Sequence, residues 1–509
     1  MQKLPIGIQT FKEIRDAEYI YIDKTSLAYE LIENYKYSFL SRPRRFGKSL
    51  FLDTLHNIFE GNKELFEGLA IYEKWNWNES YPVIKIDWAG DFKTLEQTKK
   101  TALDILKLNQ KRLGIACEIG DEPASCFRQL IIETCEKYQK PVVILIDEYD
   151  KPILDNLENP ERALENRDFL RSFYVMMKAN DAYIKFAFLT GISKFSKANI
   201  FSGLNNLEEI SLTPAFATVC GYTQNDIETD FKEHLQGVNL EQVKEWYNGY
   251  NFMGENVYNP FDILKFIKNN YIFDNYWWES GNPSFLITLL KQHHYSIPKL
   301  ENVTMGKELL NSFEVEKLRL EVLLFQSGYL TIKEYINDPE FGISEYALKV
   351  PNKEINLSLN RLFLDYLTDG ITPQRNIIEA LIQADMQGFE EVFTSLFASI
   401  PYNNYVKNTL GEYEGYYASV FYSYLAASGF SIIAEDVTNS GRIDLTIKVK
   451  DIIYIIEFKV GKSSDALDQL KRKKYAQKYK EEGKNIYLVG ISFDPEVRNI
   501  ASFLWEVDS

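Results

Sequence analysis

Short unbroken apolar runs alternate with longer amphipathic stretches over roughly the first 215 residues. "YSFLSRP" is strand-like and runs into a basic loop, and "SLFLDTLHNIFEG" has helical apolar spacing and a glycine stop. "YPVIKIDWAG" reads as a buried strand, followed by an amphipathic stretch to Lys140. "PVVILIDEYD", the helix-like "RDFLRSFYVMMKAN" and the strand-like "AYIKFAFLTGIS" complete the series. Apolar strands separated by helices predict a parallel sheet covered by helices on both faces. From about Gly221 to Asp385 the pattern becomes mainly helical and aromatic-rich ("WYNGYNF", "YWWESGNPSFL", "VLLFQSGYLTI"). After "FTSLFASIPYNN" it changes again: a helix over Glu412 to Ser428, strands "FSIIAED", "RIDLTIKV" and "IIYIIEFKV", a helix over Ser464 to Glu482, and strand "NIYLVGISF". The expected organisation is three segments, 1–220, 221–390 and 391–509, with α/β folds at both ends and a helical middle.

Composition narrows the class without changing that picture. The 509 residues exceed one hydrophobic core, and 45% hydrophobic with 26% charged residues is ordinary globular usage. Four cysteines (Cys117, Cys126, Cys135, Cys220) at these spacings suit neither a disulfide framework nor a zinc knuckle, which sets the expectation of a reducing cytoplasm. No signal sequence or membrane-length apolar run is present. A net charge of −16 argues against coating nucleic acid through a global field and leaves room for a local basic groove.

"SRPRRFGKSL" nearly spells the phosphate-loop pattern G-x-x-x-x-G-K-[ST], with Arg42 at the first glycine position. Gly47 permits close backbone approach, Lys48 supplies charge for β/γ phosphates, and Ser49 offers a hydroxyl for Mg²⁺ at the start of a helix. Pro43 can set the turn in place of the missing glycine. About 100 residues on, the apolar run of "VVILIDEYD" ends in Asp147 and Glu148. A buried parallel strand delivers its last residues to the carboxyl edge of the sheet, so Asp147 is expected on the nucleotide's Mg²⁺ and Glu148 on the attacking water. The third strand ends in Thr190, with Ser193 and Lys194 beyond, placed to sense the γ-phosphate. Arg42, Arg44, Arg45, Phe46 and Leu50 complete the expected nucleotide-contacting stretch, and no arginine finger is assignable, Arg44, Arg45 and Arg171 being candidates by proximity or chemistry alone.

The C-terminal segment carries a second constellation. Asp444 begins one strand, and Glu457-Phe458-Lys459 closes the next, giving D-x(12)-E-x-K. Period two puts Glu457 and Lys459 on one face, and a hairpin at Lys450-Asp451 brings Asp444 to the Glu457 end. Two carboxylates can then hold Mg²⁺ while Lys459 orients or deprotonates a water and stabilises a phosphorane. Glu414 upstream, and Gln469 with the basic run "KRKKYAQKYK" downstream, are the accessory candidates. His56, His234 and His293-His294 lack partners at metal-ligand spacing. "DKT" (Asp23 to Thr25) reads as a turn before a helix, with closure over the nucleotide as its functional alternative.

"LPIGIQTFKEI", "YIYIDKT", "RPRRFGKSL", "LIDEYDKPI" and "LTGISKFSK" resemble the AAA-ATPase-like family of bacterial proteins, in which arginine is common at the Arg42 position. "GRIDL…IIEFKV" resembles the PD-(D/E)XK nuclease-superfamily domain that such proteins carry at their C-terminus. The resemblance implies ATP bound by Gly47, Lys48 and Ser49, Mg²⁺ at Asp147, and a water-activating Glu148. In the second domain it implies Asp444 and Glu457 as metal ligands, Lys459 as catalytic, and Glu414 on the first helix. Ala418 stands where a histidine often follows the two aromatics, and the Gln-x-x-x-Tyr element is shifted, Gln469 being followed by Lys473 and Tyr475. The expected function is ATP binding and hydrolysis coupled to a Mg²⁺-dependent nuclease acting on nucleic acid, DNA before RNA, in defence, mobile-element or repair processes. A homo-oligomer is compatible with this reading and membrane association is not expected. The alternatives are a nucleotide switch whose second domain binds without cutting, and an interaction protein with relic sites.

Overall fold

The structure is a computed structural model that describes residues 1–116, 122–193, 206–279, 300, 303–306, 308–311, 319–368, 370–373, 375–400, 414–461 and 465–508. Two compact units divide the chain: Met1–Thr288 with Met305–Ala347, and Leu289–Thr304 with Leu348–Ser509. The stretch expected as a middle segment is shared between them. No helix among the described residues is long and apolar enough to cross a membrane.

In the first unit, α1 (Phe11–Asp16) and α2 (Thr25–Asn34) precede β1 (Tyr37–Ser41) and α3 (Lys48–Glu60). Then come β2 (Val83–Asp87), α4 (Leu95–Leu113), α5 (Pro123–Tyr138), β3 (Val142–Asp147), α6 (Lys151–Leu154), α7 (Pro160–Ala179), β4 (Ile184–Gly191) and β5 (Glu208–Glu209). The sheet order is β2-β3-β4-β1-β5, and every pair is parallel. All six residues of β3 are buried, as the unbroken "VVILID" run demands of a strand covered on both faces. Consecutive ends at one edge follow from the register: Asp87 pairs with Asp147, and Ser41 with Gly191.

Short helices α8 (Gln224–Thr229), α9 (Leu240–Tyr247), α10 (Pro260–Lys268) and α11 (Tyr276–Glu279) follow, with α12 (Leu320–Ser327) after them. One apolar cluster joins α8, α9 and α10 to the N-terminal segment through Ile227, Phe231, Val243, Tyr247, Ile263 and Phe266 packed with Ile20 and Ile22. The helical expectation missed two neighbouring strands, β6 (Thr331–Asp338) and β7 (Ile343–Lys349). The first of them is buried only at Thr331 and Ile332 and exposed from Lys333 to Asn337, so it lacks the apolar run by which a buried strand is read.

The second unit contains α13 (Lys353–Thr368), α14 (Arg375–Gln383), α15 (Met386–Ser399) and α16 (Glu414–Ala427), then β8 (Ser431–Thr438), β9 (Gly441–Val449) and β10 (Ile452–Val460). It closes with α17 (Asp465–Lys473), a 3₁₀ helix (Tyr475–Glu482), β11 (Asn485–Asp494) and β12 (Asn499–Asp508). The sheet order is β12-β11-β10-β9-β8, antiparallel except for the parallel pair β10/β11. Strand β12 was not expected. The turn at Lys450-Asp451 was: Val449 pairs with Ile452, and Lys450 takes the left-handed φ of +50° that a two-residue turn requires. The single helix expected over Ser464 to Glu482 breaks at Lys474, whose φ is +53°. On one face α16 packs its buried aromatics on the sheet and neighbouring helices, with Phe421 stacked on Phe393 and edge-on to Phe458.

Candidate functional site

Residues 42–46 connect β1 to α3, and each is held by the helical part of the first unit. Arg42 is 1% exposed. Its guanidinium donates to the carbonyls of Ser41 (2.9 Å), Ser211 (2.7 Å) and Phe216 (3.0 Å), and it lies 3.9 Å from the Phe252 ring centre. Burial pulls its pKa down to about 10. The Pro43 ring rests on Gly328, where a Cβ would come within 2.7 Å of it. Trp277 Nε1 donates to the Arg44 carbonyl at 3.0 Å, and the Arg45 guanidinium lies 4.9 Å over the Phe261 ring. Phe46 packs edge-on to Tyr250 and Phe252. Arg42 was expected beside the phosphates; its guanidinium is instead a buried structural fork, and it does not line the cavity described next.

That cavity, of ≈ 560 Å³, is lined by Arg44, Arg45, Gly47, Lys48, Ser49 and Leu50 from the loop and α3, and by Glu148, Asp150, Lys151 and Asp155 after β3. Gly47 has φ +95°, a left-handed conformation that glycine adopts without strain. The Lys48 ammonium donates to the carbonyls of Arg42 and Pro43, both at 2.9 Å, bracing the loop from within. Burial lowers its pKa, against the opposing pull of Asp147, Glu148 and Asp150.

At the end of β3, buried Asp147 accepts the Thr190 hydroxyl at 2.5 Å and the Glu148 N–H at 3.0 Å. Thr190 thus gives its hydroxyl to a carboxylate rather than to the cavity, a positioning contact where a phosphate sensor was expected. Glu148 has φ +50°, faces the cavity, and pairs with Lys151 at 3.1 Å. Asp150 was not anticipated. It is 1% exposed and accepts the Ile192 N–H (3.0 Å), the Ser193 N–H (2.6 Å) and the Ser193 hydroxyl (2.7 Å), stapling the tail of β4 to the tail of β3. Burial raises its pKa to about 6, with the Ser193 hydrogen bonds acting the other way. Lys194 lies outside the described residues. Asp23 accepts from Thr25 and from the Ala70 N–H and does not line the cavity. Ser49, on the cavity wall, and Asp147, buried at the end of β3 and not itself on that wall, are hard oxygen donors of the kind Mg²⁺ takes alongside nucleotide phosphates, so their chemistry fits that group.

In the second unit, Leu445 pairs with Ile456, which sets Asp444 against the Glu457 end of β10. Asp444 accepts the Phe458 N–H at 2.7 Å. Glu457 is 2% exposed, hydrogen-bonded by Gln469 of α17 and 3.5 Å from the Lys459 ammonium. Gln469, expected as an accessory residue, is therefore drawn into the cluster. Because α17 ends at Lys473 and the chain turns left-handed at Lys474, Tyr475 comes back to the sheet: its hydroxyl donates to the Arg442 carbonyl at 3.1 Å. Burial, then the charges of Glu457 and Asp444, raise the Tyr475 pKa, with the Lys459 cation acting the other way. Glu414 begins α16, and its side chain lies outside what is described. Among the described residues no group of three or more His, Cys, Asp or Glu side chains is arranged to hold a metal ion. Two carboxylates remain a sufficient protein contribution for Mg²⁺, which keeps water and substrate oxygens in its shell.

A protein of Azotobacter chroococcum mcd 1, described as "Uncharacterized protein in vnfD 5'region", is 44% identical over 515 residues, covering 99% of each chain. A family model described as Predicted AAA-ATPase matches residues 5–201, and one described as PD-(D/E)XK nuclease superfamily matches residues 412–503. The chain belongs to the AAA-ATPase-like family with a C-terminal PD-(D/E)XK nuclease-superfamily domain. In this AAA-ATPase-like chain the first match takes in the loop, Asp147, Glu148 and Thr190, and the second takes in Asp444, Glu457, Lys459 and Gln469. The residues that grip the loop (Ser211, Phe216, Phe252, Phe261, Trp277 and Gly328) lie in neither match.

Proposed function

We propose that the protein binds and hydrolyses ATP with Mg²⁺ in its first unit and that this turnover governs Mg²⁺-dependent cleavage of nucleic acid by its second. The carrying observation is that Lys48, Ser49, Glu148 and Asp150 converge on one cavity while Asp444, Glu457, Lys459 and Gln469 cluster at one end of a separate sheet. In the first unit Lys48 would exchange its loop carbonyls for β/γ-phosphate oxygens, and the Ser49 hydroxyl and Asp147 would hold the metal. Glu148 takes the proton of the attacking water, with the Lys151 ammonium 3.1 Å from that carboxylate. In the second unit Asp444 and Glu457 would hold the ion, Gln469 fixes the Glu457 rotamer, and Lys459 stabilises charge on the phosphorane. When bound there, Mg²⁺ supplies Lewis-acid charge at the phosphate and lowers the pKa of a water.

The deciding experiment is a cleavage assay over single- and double-stranded DNA and RNA, with and without ATP, on wild type, Lys48→Ala and Lys459→Ala. Cleavage that requires Mg²⁺, is lost in Lys459→Ala and is altered in Lys48→Ala is expected; uniformly intact substrates with wild type would sink the nuclease reading. The grip of the helices on residues 42–46 favours a second reading, in which nucleotide state moves those helices and the second unit binds without cutting. Under that reading Lys48→Ala abolishes nucleotide-dependent retention of nucleic acid while Glu457→Ala leaves it intact.

A further inference from the structure

The basic run "KRKKYAQKYK" is not uniform in the folded chain. Lys471 pairs with Glu506, Lys478 with Asp436 and Lys480 with Asp508, so carboxylates of the same unit neutralise these three cations. Arg472, Lys473 and Lys474 are exposed, and among the described residues their side chains have no hydrogen-bond or ion-pair partner. The stretch that carries them is pinned on both sides. Gln469, earlier on α17, is hydrogen-bonded to Glu457, and Tyr475, just after it, donates to the Arg442 carbonyl. The Lys473 carbonyl accepts the Ser440 hydroxyl at 2.7 Å, which ties the end of α17 to the turn between β8 and β9. That turn lies at the Asp444 end of the sheet, because β9 starts at Gly441 and runs away from it towards Lys450. Residues three and four apart share one side of a helix, so Arg472 and Lys473 stand one turn, about 5.4 Å, beyond Gln469.

We propose that Arg472, Lys473 and Lys474 form the surface on which the second unit holds the sugar-phosphate backbone of a nucleic acid, gripping phosphates that flank the one presented to Asp444 and Glu457. The inference rests on the nuclease reading for the group held at those carboxylates and adds the path of the substrate past them. A chain with a net charge of −16 repels a polyanion at long range, so docking needs a place where positive charge is uncompensated. A cation already paired with a carboxylate must give up that partner to meet a phosphate. An unpaired, exposed cation exchanges only water, and the counterions it releases from the nucleic acid drive association. Contacts of this kind position a backbone and carry no base information, so the surface serves any sequence.

Cations in the last turn of a helix also suit its dipole. That role covers Arg472 and Lys473 and does not account for Lys474, which stands at the left-handed break after α17. Nor does it account for pairing that neutralises Lys471, Lys478 and Lys480 and spares the three cations nearest the carboxylates.

The test is fluorescence anisotropy of the full chain with labelled probes of duplex DNA, single-stranded DNA and RNA, in Mg²⁺ and between about 50 and 200 mM salt. Every chain carries Lys459→Ala so that the probes stay intact. Arg472→Gln with Lys473→Gln should lower the slope of log affinity against log salt by about 1 per cation, so the reference chain loses about tenfold more affinity than this variant across that range. The loss should be alike for unrelated sequences. Lys450→Gln with Lys484→Gln removes the same net charge at the opposite end of the sheet and should leave the slope unchanged. Arg472→Lys with Lys473→Arg keeps both charges and should keep the slope. An unchanged slope in the first pair, or an equal fall in the opposite-end pair, would overturn the proposal. So would a fall in the charge-keeping pair, which would point to packing rather than charge. Failure to bind any probe would overturn it too, as would binding to phosphatidylserine vesicles alone. The nuclease reading fails separately: if the chain with Lys459 in place leaves every substrate intact while the slope difference holds, cleavage is wrong and this surface stands.

Discussion

Replacing Arg42 with glycine completes the standard phosphate-loop spacing, so a motif-based expectation is a neutral or improved nucleotide site. The structure predicts the opposite. Removing the guanidinium strands the carbonyls of Ser211 and Phe216 in a buried setting and that of Ser41 in a partly buried one, at about 2 kcal/mol each. Loss of the contact with the Phe252 ring adds roughly 1–2 kcal/mol. Against this stands the cost of burying the cation: a pKa pulled from 12.5 to about 10 corresponds to roughly 3 kcal/mol that the variant recovers. The net loss is about 4 kcal/mol, or a fall of roughly 8 °C in the thermal transition of the first unit at about 2 °C per kcal/mol for a unit of this size. Differential scanning calorimetry reads the transition and titration calorimetry reads ATP affinity, which should weaken as the loop loses its anchor. Arg42→Lys, which keeps the charge but not the planar fork, should fall between. A glycine variant that melts within about 1 °C of wild type and binds ATP equally well would refute the anchoring role.

Asp150 gives a pH signature. Its folded pKa is raised above the unfolded value, so the stability it confers is fully present below about pH 4 and is lost as pH rises through about 6. The stability difference between wild type and Asp150→Asn should therefore move towards wild type by about 3 kcal/mol between pH 7 and pH 4, read from denaturation midpoints; a pH-independent difference would contradict the buried carboxylate. At Gly441, φ is +149° and a Cβ would lie 2.6 Å from the Tyr475 hydroxyl. Gly441→Ala should displace Tyr475 from its cluster and reduce cleavage, and combining it with Tyr475→Phe, which removes the obstructing oxygen, should restore thermal stability in part. Unchanged stability in Gly441→Ala would show that the ring yields freely.

What the sequence revealed and what it withheld follow from how far each residue's partners lie along the chain. β1, the loop and α3 were legible because a strand, Gly47-Lys48-Ser49 and a helical pattern are contiguous. β3 was legible because a strand buried on both faces must be an unbroken apolar run. Asp444 and Glu457 were legible because a two-residue turn fixes the register of β9 and β10. Arg42 was not, since its acceptors Ser211 and Phe216 are 169 and 174 residues away and the motif compares it only with a glycine. Asp150 sat in plain view in "LIDEYDKPI", yet its partners Ile192 and Ser193 belong to another strand's tail. Tyr475 stands two residues beyond the Gln-x-x-x-Tyr spacing, and its return to the sheet was hidden because one helix was expected through Lys474, where the backbone turns left-handed. Strands β6, β7 and β12 carry exposed positions and were passed over in favour of stronger helical or fully buried patterns.

A glycine-free entrance to a phosphate loop has a thermodynamic consequence. In the glycine form the turn is a local property of the chain; here residues 42–46 take their conformation from Ser211, Phe216, Phe252, Phe261, Trp277 and Gly328. A loop positioned by distant packing cannot change shape without disturbing that packing, and the helices cannot shift without moving the loop. Binding free energy delivered at Lys48 is therefore shared with the segments that grip the loop, α10 and α11 among them, and ATP at a hundredfold over its Kd should stabilise the loop and those segments together by about 2.7 kcal/mol. The direction also reverses: whatever holds the helices in the loop-gripping arrangement raises nucleotide affinity by the same factor, because linkage is reciprocal. The arginine at position 42 is thus the residue through which the nucleotide site becomes responsive to the rest of its unit, a property that a glycine there would remove.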